Sequence, residues 1–217
     1  MQNRLMSAVM IGAGGLAIAV VAAGAWVTLV PHAGPIAFSE GTIDARESGI
    51  GGSFEMERHD GAIAASDTLI DGPTLVYFGY TFCPDVCGFD TQDMATAADL
   101  LDAEGIGIAT VFVTVDPERD TPEQLTYFVE GMHPGMVGLR PDAETLDRVA
   151  RDWKVYFSRT EPEEDGFYLM NHSAFTYLVL PDADGRPEAS LIFRSEQTPE
   201  TIATDVRRYL ENRGLEG

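Results

Sequence analysis

The chain has 217 residues, 45% of them hydrophobic, and carries 35 acidic against 14 basic residues for a formal charge of −21. Such a surface excludes nucleic acid as a partner and disfavours docking on anionic lipid headgroups. With Lys154 as the only lysine, the acidic excess reads as a solvated surface.

Charge is unevenly placed. Residues 1–6 contain Arg4, and then Ser7 to Val30 runs uncharged, with nothing more polar than Ser7 and Thr28. At about 1.5 Å per residue this segment makes a helix of roughly 36 Å, enough to cross a hydrocarbon core of about 30 Å. Trp26 sits near its far end, and no Lys or Arg follows until Arg46. The positive-inside bias then places residues 1–6 in the cytoplasm, 7–30 as a single-pass anchor in a bacterial-type inner membrane, and the remainder on the exported, periplasmic side. A cleaved signal peptide is the alternative, because Ala23-Gly24-Ala25 fits a small-residue cleavage pattern. Both place the remainder outside the cytoplasm.

Residues 31–51 lack periodicity and read as a linker. Residues 52–213 are one domain's worth of chain, enough for a real core, and 214–217 read as a tail. Within the domain, Ser53 to Glu57 and Ala62 to Ala65 flank an Asp60-Gly61 turn, the signal of a hairpin. Leu75 to Gly79 is an apolar run, as expected for a strand buried on both faces. Met94, Ala97, Ala98 and Leu101 follow at helical spacing, and Ile108 to Val115 is a second buried strand.

Thr121-Pro122-Glu123-Gln124 opens a helix with a capping threonine, a first-turn proline and a capping-box glutamine. Leu125, Phe128, Val129 and Met132 form its apolar face. A further helix is expected over Asp142 to Trp153, and strands around Tyr168 to Asn171 and Phe175 to Leu180 bracket His172-Ser173. Asp182 to Gly185 turns the chain into a strand over Ala189 to Arg194. Thr198-Pro199-Glu200 then starts the last helix. This alternation predicts an α/β, thioredoxin-like fold: a mixed central sheet with helices on both faces and an added N-terminal hairpin.

Cys83 and Cys87 are the only cysteines, set where the first buried strand hands over to a helix. At that junction both sulfurs project to one side, and orphan N–H groups at the helix start favour thiolate. Such a pair can form a disulfide or hold a soft metal ion, for which a nitrogen donor commonly completes the site. His32 and His59 read as solvated and His133 as a surface cap. His172 stands in an apolar neighbourhood, where imidazole serves equally as a structural group or a ligand. Met132, Met136 and Met170 read as packing. The stretch Asp116 to Pro122 follows a buried strand at the same sheet edge as Cys83; its carboxylates can back the site or pair with Arg119, and a loop and capping role is the reading for most of them.

Three blocks of this sequence, Tyr77 to Cys87, Val113 to Pro122, and Asn171-His172-Ser173, closely resemble the Sco/SenC family. The resemblance runs in order from about Gly52 to Leu210. It implies a copper ion held by Cys83, Cys87 and His172, and a role as a metallochaperone rather than a turnover enzyme. The implied partner is the copper-bearing subunit of cytochrome c oxidase, which receives copper or has its cysteines reduced. Other copper carriers and thiol reductases are further implied partners. An exported thiol–disulfide oxidoreductase using Cys83 and Cys87 is the rival reading, and a thiol peroxidase fits the spacing less well. The chain departs from the family pattern at Gly88, where proline is usual, and at Asn171, where aspartate is usual. The latter removes a carboxylate that could sit behind the imidazole.

Overall fold

In a computed structural model of the chain, residues 36–164 and 166–214 are described. The expected N-terminal anchor (7–30), the residues flanking it through 35, and 215–217 of the expected tail lie outside them. Among the described residues no helix is long and apolar enough to cross a membrane. The chain divides into two units, 1–36 and 37–217, and every described element belongs to the second.

These elements are β1 (Thr42–Asp44), β2 (Glu55–Arg58), β3 (Ile63–Ala65), α1 (Ser66–Leu69), β4 (Thr74–Gly79), α2 (Val86–Ala103), β5 (Ala109–Thr114) and α3 (Pro122–Met132). After them come β6 (Val137–Arg140), α4 (Ala143–Asp152), β7 (Phe157–Arg159), β8 (Met170–His172), β9 (Phe175–Pro181), β10 (Pro187–Arg194) and α5 (Pro199–Arg213). One sheet runs β1-β10-β9-β4-β5-β6-β2-β3, and β7 pairs with β8 in a separate ribbon. Strands β4, β5 and β6 are parallel, whereas β9 lies antiparallel to β4.

Every residue of β4 is buried. Its alternating side chains divide the core in two. Tyr77 faces the α2 and α3 side, where its hydroxyl donates to Asp90 of α2 at 2.9 Å and its ring stacks on Phe112. Phe112 in turn meets Phe128 of α3. Phe78 faces the other way, onto Trp153 at the end of α4 and Tyr177 of β9. Trp153 is fully buried and also contacts Phe54. Helices therefore cover both faces of a mixed sheet with a thioredoxin-like order, as the alternation of elements predicts.

Helix starts follow the expected chemistry. Thr121, Asp142 and Thr198 each accept a hydrogen bond from the backbone three residues on, and Pro122 and Pro199 occupy first turns. The capping box at Thr121 is only half formed: its own N–H donates to the Arg119 carbonyl. The hairpin is present with Glu55 opposite Ala65.

Residues 37–51 differ from the expected linker. Strand β1 adds to the sheet edge along β10, Ala45 is buried, and Ser39 and Thr42 both donate to the fully buried carboxylate of Asp205 in α5. Gly51 bridges to Glu188 so closely that a Cβ there would lie 2.4 Å from the Pro187 carbonyl oxygen. A three-residue strand leaves no periodicity to read, and its partners lie at the far end of the chain. Strands β6 and β7 were likewise too short to register as apolar runs.

Candidate metal centre

Strand β4 ends at Gly79, and the chain runs through Tyr80, Thr81, Phe82, Cys83, Pro84 and Asp85 into α2. Cys87 is the second helical residue and is 1% exposed; Cys83 precedes the helix and is half-buried. Gly79 makes room for this packing. A Cβ there would lie 3.2 Å from the Cys87 sulfur and 2.8 Å from the Tyr77 ring.

Asp85 occupies the cap position of α2 but makes no side-chain capping bond. The backbone N–H groups of Asp85 and Cys87 lie on the side of the Cys83 sulfur and favour its charged form. The cysteines split their titration as a result. A hydrogen bond from Cys87, aided by those N–H groups, holds Cys83 well below the ordinary thiol range. The same bond to Cys83, reinforced by burial, pushes Cys87 up. At neutral pH the pair is a Cys83 thiolate beside a Cys87 thiol.

His172 is the last residue of β8, opposite Phe157 of β7. Its Nε2 lies 3.0 Å from the Cys87 sulfur, and its Nδ1 lies 3.1 Å from the Ser173 carbonyl oxygen. A carbonyl only accepts, so Nδ1 carries the ring proton and Nε2 turns its lone pair toward the thiols. The rings of Tyr77 and Tyr80 stand nearly perpendicular to the imidazole, at 6.2 and 5.8 Å. Burial pushes the Tyr80 hydroxyl up to about 12, and that of Tyr77 higher.

The two sulfurs and one ring nitrogen lie within 4.8 Å of one another. Among the described residues no other trio of His, Cys or carboxylate donors gathers this way. Two soft sulfurs and an imidazole form a donor set suited to copper or zinc. All three residues singled out from sequence are brought together. Other candidates are elsewhere: His59 accepts from the Gly138 N–H on β6 rather than standing in solvent, and His133 accepts from Gly135 just after α3. Met136 and Met170 are buried in the core.

Both departures from the family pattern fall outside this geometry. A Cβ on Gly88 would meet nothing within 4 Å, and α2 runs on from Val86 without proline there. Asn171 is exposed and donates to Ser158 Oγ on β7, so the group behind the imidazole is the Ser173 carbonyl.

Of the residues that hold the trio in place, sequence reading named the Asp116-to-Pro122 loop but missed Tyr77, Asp90 and Ser195. Tyr77 and Asp90 back Cys87, with Ser195 donating to Asp90 at 2.8 Å. Asp120 accepts from the Thr81 N–H, the Thr81 hydroxyl and the Thr114 hydroxyl; burial pushes its carboxyl up while these bonds oppose the shift. Tyr77 and Gly79 sit two apart on one strand and share the face on which Cys87 packs, a signal from which Tyr77 could have been found.

Fold and site together define a thioredoxin-like domain bearing a two-thiol, one-imidazole centre. Residues 43–211 match the SCO1/SenC family, and the chain belongs to that family. It is 40% identical over 148 residues to the mitochondrial protein SCO1 homolog 1 of Arabidopsis thaliana, covering 68% of this chain and 44% of that protein, so it spans under half of that relative's length. Protein SenC of Rhodobacter capsulatus is 37% identical over 196 residues, 89% of this chain and 86% of SenC. Among solved structures, Arabidopsis thaliana ScoI with copper bound superposes with a TM-score of 0.69 at 33% identity, over 75% of this chain and 99% of that one. BsSco, a member of the Sco family of cytochrome c oxidase assembly proteins for which a disulfide switch is described, gives 0.55 at 25% identity, over 72% and 90%.

Proposed function

We propose that this protein binds one copper ion through Cys83, Cys87 and His172 and serves the assembly of the dinuclear copper centre of cytochrome c oxidase. The observation that carries this reading is the convergence of the three donors within 4.8 Å at the helix start of a SCO1/SenC domain. The copper bound in Arabidopsis ScoI and the assembly role of the Sco family to which BsSco belongs support it. In this reading residues 7–30 tether the domain to the exported face of the inner membrane, beside the oxidase subunit it serves.

The donor set accounts for the chemistry. Two sulfurs and an imidazole satisfy Cu(I) at low coordination and leave a position for a ligand from the recipient. Cys83 is already a thiolate, so at neutral pH copper displaces a single proton, that of Cys87. The Ser173 carbonyl keeps the imidazole in the tautomer whose Nε2 faces the ion.

A second reading rests on the asymmetry of the thiols. The half-exposed Cys83 thiolate can attack a disulfide of the target, forming a mixed disulfide and releasing one target thiolate. Cys87, on losing its proton, then attacks Cys83; the second target thiolate leaves, and Cys83 and Cys87 end as a disulfide. Both roles draw on the same sulfurs in different states.

Copper titration of the reduced protein, followed by thiolate-to-copper absorption, tests the first reading. About one copper per chain is expected for the wild type, with stoichiometric binding lost in Cys83→Ser and Cys87→Ser. Binding about a hundredfold weaker is expected in His172→Ala. Wild-type affinity in His172→Ala would falsify the ligand set. For the reductase role, metal-free protein is mixed with a model disulfide. Failure to accumulate the Cys83–Cys87 disulfide would eliminate that role.

A further inference from the structure

The loop between β5 and α3 supplies no donor atom, yet it grips both halves of the centre. On the cysteine side, Asp120 takes the N–H and hydroxyl of Thr81, two residues before Cys83. On the histidine side, Arg119 Nη1 donates to the carbonyl of Tyr168 at 2.8 Å, four residues before His172. The guanidinium also lies on the Tyr168 ring, 3.6 Å from its centroid, and stands 5.2 and 5.6 Å from the rings of Phe82 and Tyr80. Phe82 adjoins Cys83, and Tyr80 contacts the imidazole.

Asp116 closes the arrangement. Its carboxylate accepts from Arg119 Nε at 2.5 Å and from the Tyr168 hydroxyl at 3.0 Å. The second face of the Tyr168 ring is occupied by Arg159, 3.9 Å from the centroid, which pairs with Glu118 of the same loop. By contrast, the β7–β8 ribbon that ends in His172 is only three residues long and lies outside the main sheet. An isolated two-stranded ribbon is marginal in water, so tertiary contacts must set its position.

From this we infer that Arg119 is a positioning residue of the centre: it wedges between the cysteine loop and the Tyr168-to-His172 arm and fixes the imidazole against the thiols. The inference rests on the copper reading for its consequence and on the metal-free geometry for its cause. Arginine suits the place because one planar group supplies two directed N–H donors and a stacking face; lysine offers only a point charge. Loss of the wedge lets the arm drift, and the imidazole then meets the metal for only part of the time.

A mutant cycle on the full-length chain tests this, with Cu(I) affinity measured by competition for wild type, Arg119→Gln, His172→Ala and the double variant. Arg119→Gln is expected to weaken binding about tenfold, the usual range for a group that orients a ligand. In the His172→Ala background the same change is expected to do nothing further, because its effect passes through the imidazole. Arg119→Lys should fall with Arg119→Gln rather than recover, and Tyr168→Leu should reproduce the loss if Arg119→Gln does not fold. Wild-type affinity in Arg119→Gln, or losses that multiply in the double variant, would overturn the assignment.

Hydrogen exchange on metal-free protein gives a second readout. The Thr160, Leu169 and Ser173 amides, which bond within or beside the ribbon, are expected to exchange about tenfold faster in Arg119→Gln, while β4 and β5 amides keep their protection. Unchanged exchange across 156–173 counts against the wedge even if copper binding itself were absent. Copper held normally by His172→Ala would sink the ligand set, and the exchange result alone would then decide for or against Arg119.

Discussion

The two halves of the centre are built differently. The cysteines sit between the fully buried strand β4 and the start of α2, with Cys87 sealed against Gly79 and Tyr77. His172 rides on a three-residue ribbon beside the sheet, held from outside by an arginine–tyrosine stack. The sulfurs are therefore fixed by the core itself, and the nitrogen by contacts that can be loosened singly. A carrier benefits from such a division, because an ion can stay on two firm donors while the third yields to an incoming ligand.

The largest expected effect tests whether the cysteine half belongs to the core. Trp153→Ala removes the ring joining Phe54, Phe78 and Tyr177 and is expected to cost ~3–5 kcal/mol in denaturant unfolding. A cost below about 1 kcal/mol would mean that the far side of β4 is not what fixes the strand. Next comes Gly79→Ala, which forces a methyl toward Tyr77 and the Cys87 sulfur and is expected to lose ~1–3 kcal/mol of stability along with copper affinity. Wild-type affinity in that variant would show the cysteine half to be as yielding as the histidine half.

The protonation asymmetry makes a smaller, directional claim. Cys83 is lowered and Cys87 raised, so only Cys87 holds a proton for copper to displace near neutrality. Affinity should therefore rise about tenfold, or ~1.4 kcal/mol, per unit of increasing pH between about pH 7 and 9. Calorimetry in buffers of different ionisation enthalpy would register release of one proton; release of two would erase the distinction between the thiols. Smallest of all is Asn171→Asp, which sits on the exposed face of β8 and is expected to change stability and affinity by under about 0.5 kcal/mol. A large gain in affinity would mean that a carboxylate there reaches the imidazole after all.

Much of the cysteine half was legible in the sequence. The apolar run of β4, the thiols at its end and the threonine–proline starts of α3 and α5 are local signals, each interpretable without knowing its partners. The histidine half was legible only as a residue type. Phe157 to Arg159 has no strand signature, and its pairing with Met170 to His172 spans a long loop. Arg119 read as an ion-pair partner for the carboxylates of its own loop, and it pairs with Asp116, but the Tyr168 ring beneath it comes from a distant loop. The stretch 37–51 failed as a linker for a related reason: Asp205, which anchors it, lies in the last helix.

The unusual start of α2 has a practical consequence. Because Asp85 makes no side-chain cap and its N–H, with that of Cys87, favours the charged form of the Cys83 sulfur, the amides of Asp85 and Cys87 act as a built-in gauge of that sulfur's electronic state. Thiolate, metal-bound sulfur and disulfide differ in how strongly they draw on those hydrogens. Two backbone resonances would then distinguish loaded, empty and oxidised protein without any probe attached to the chain.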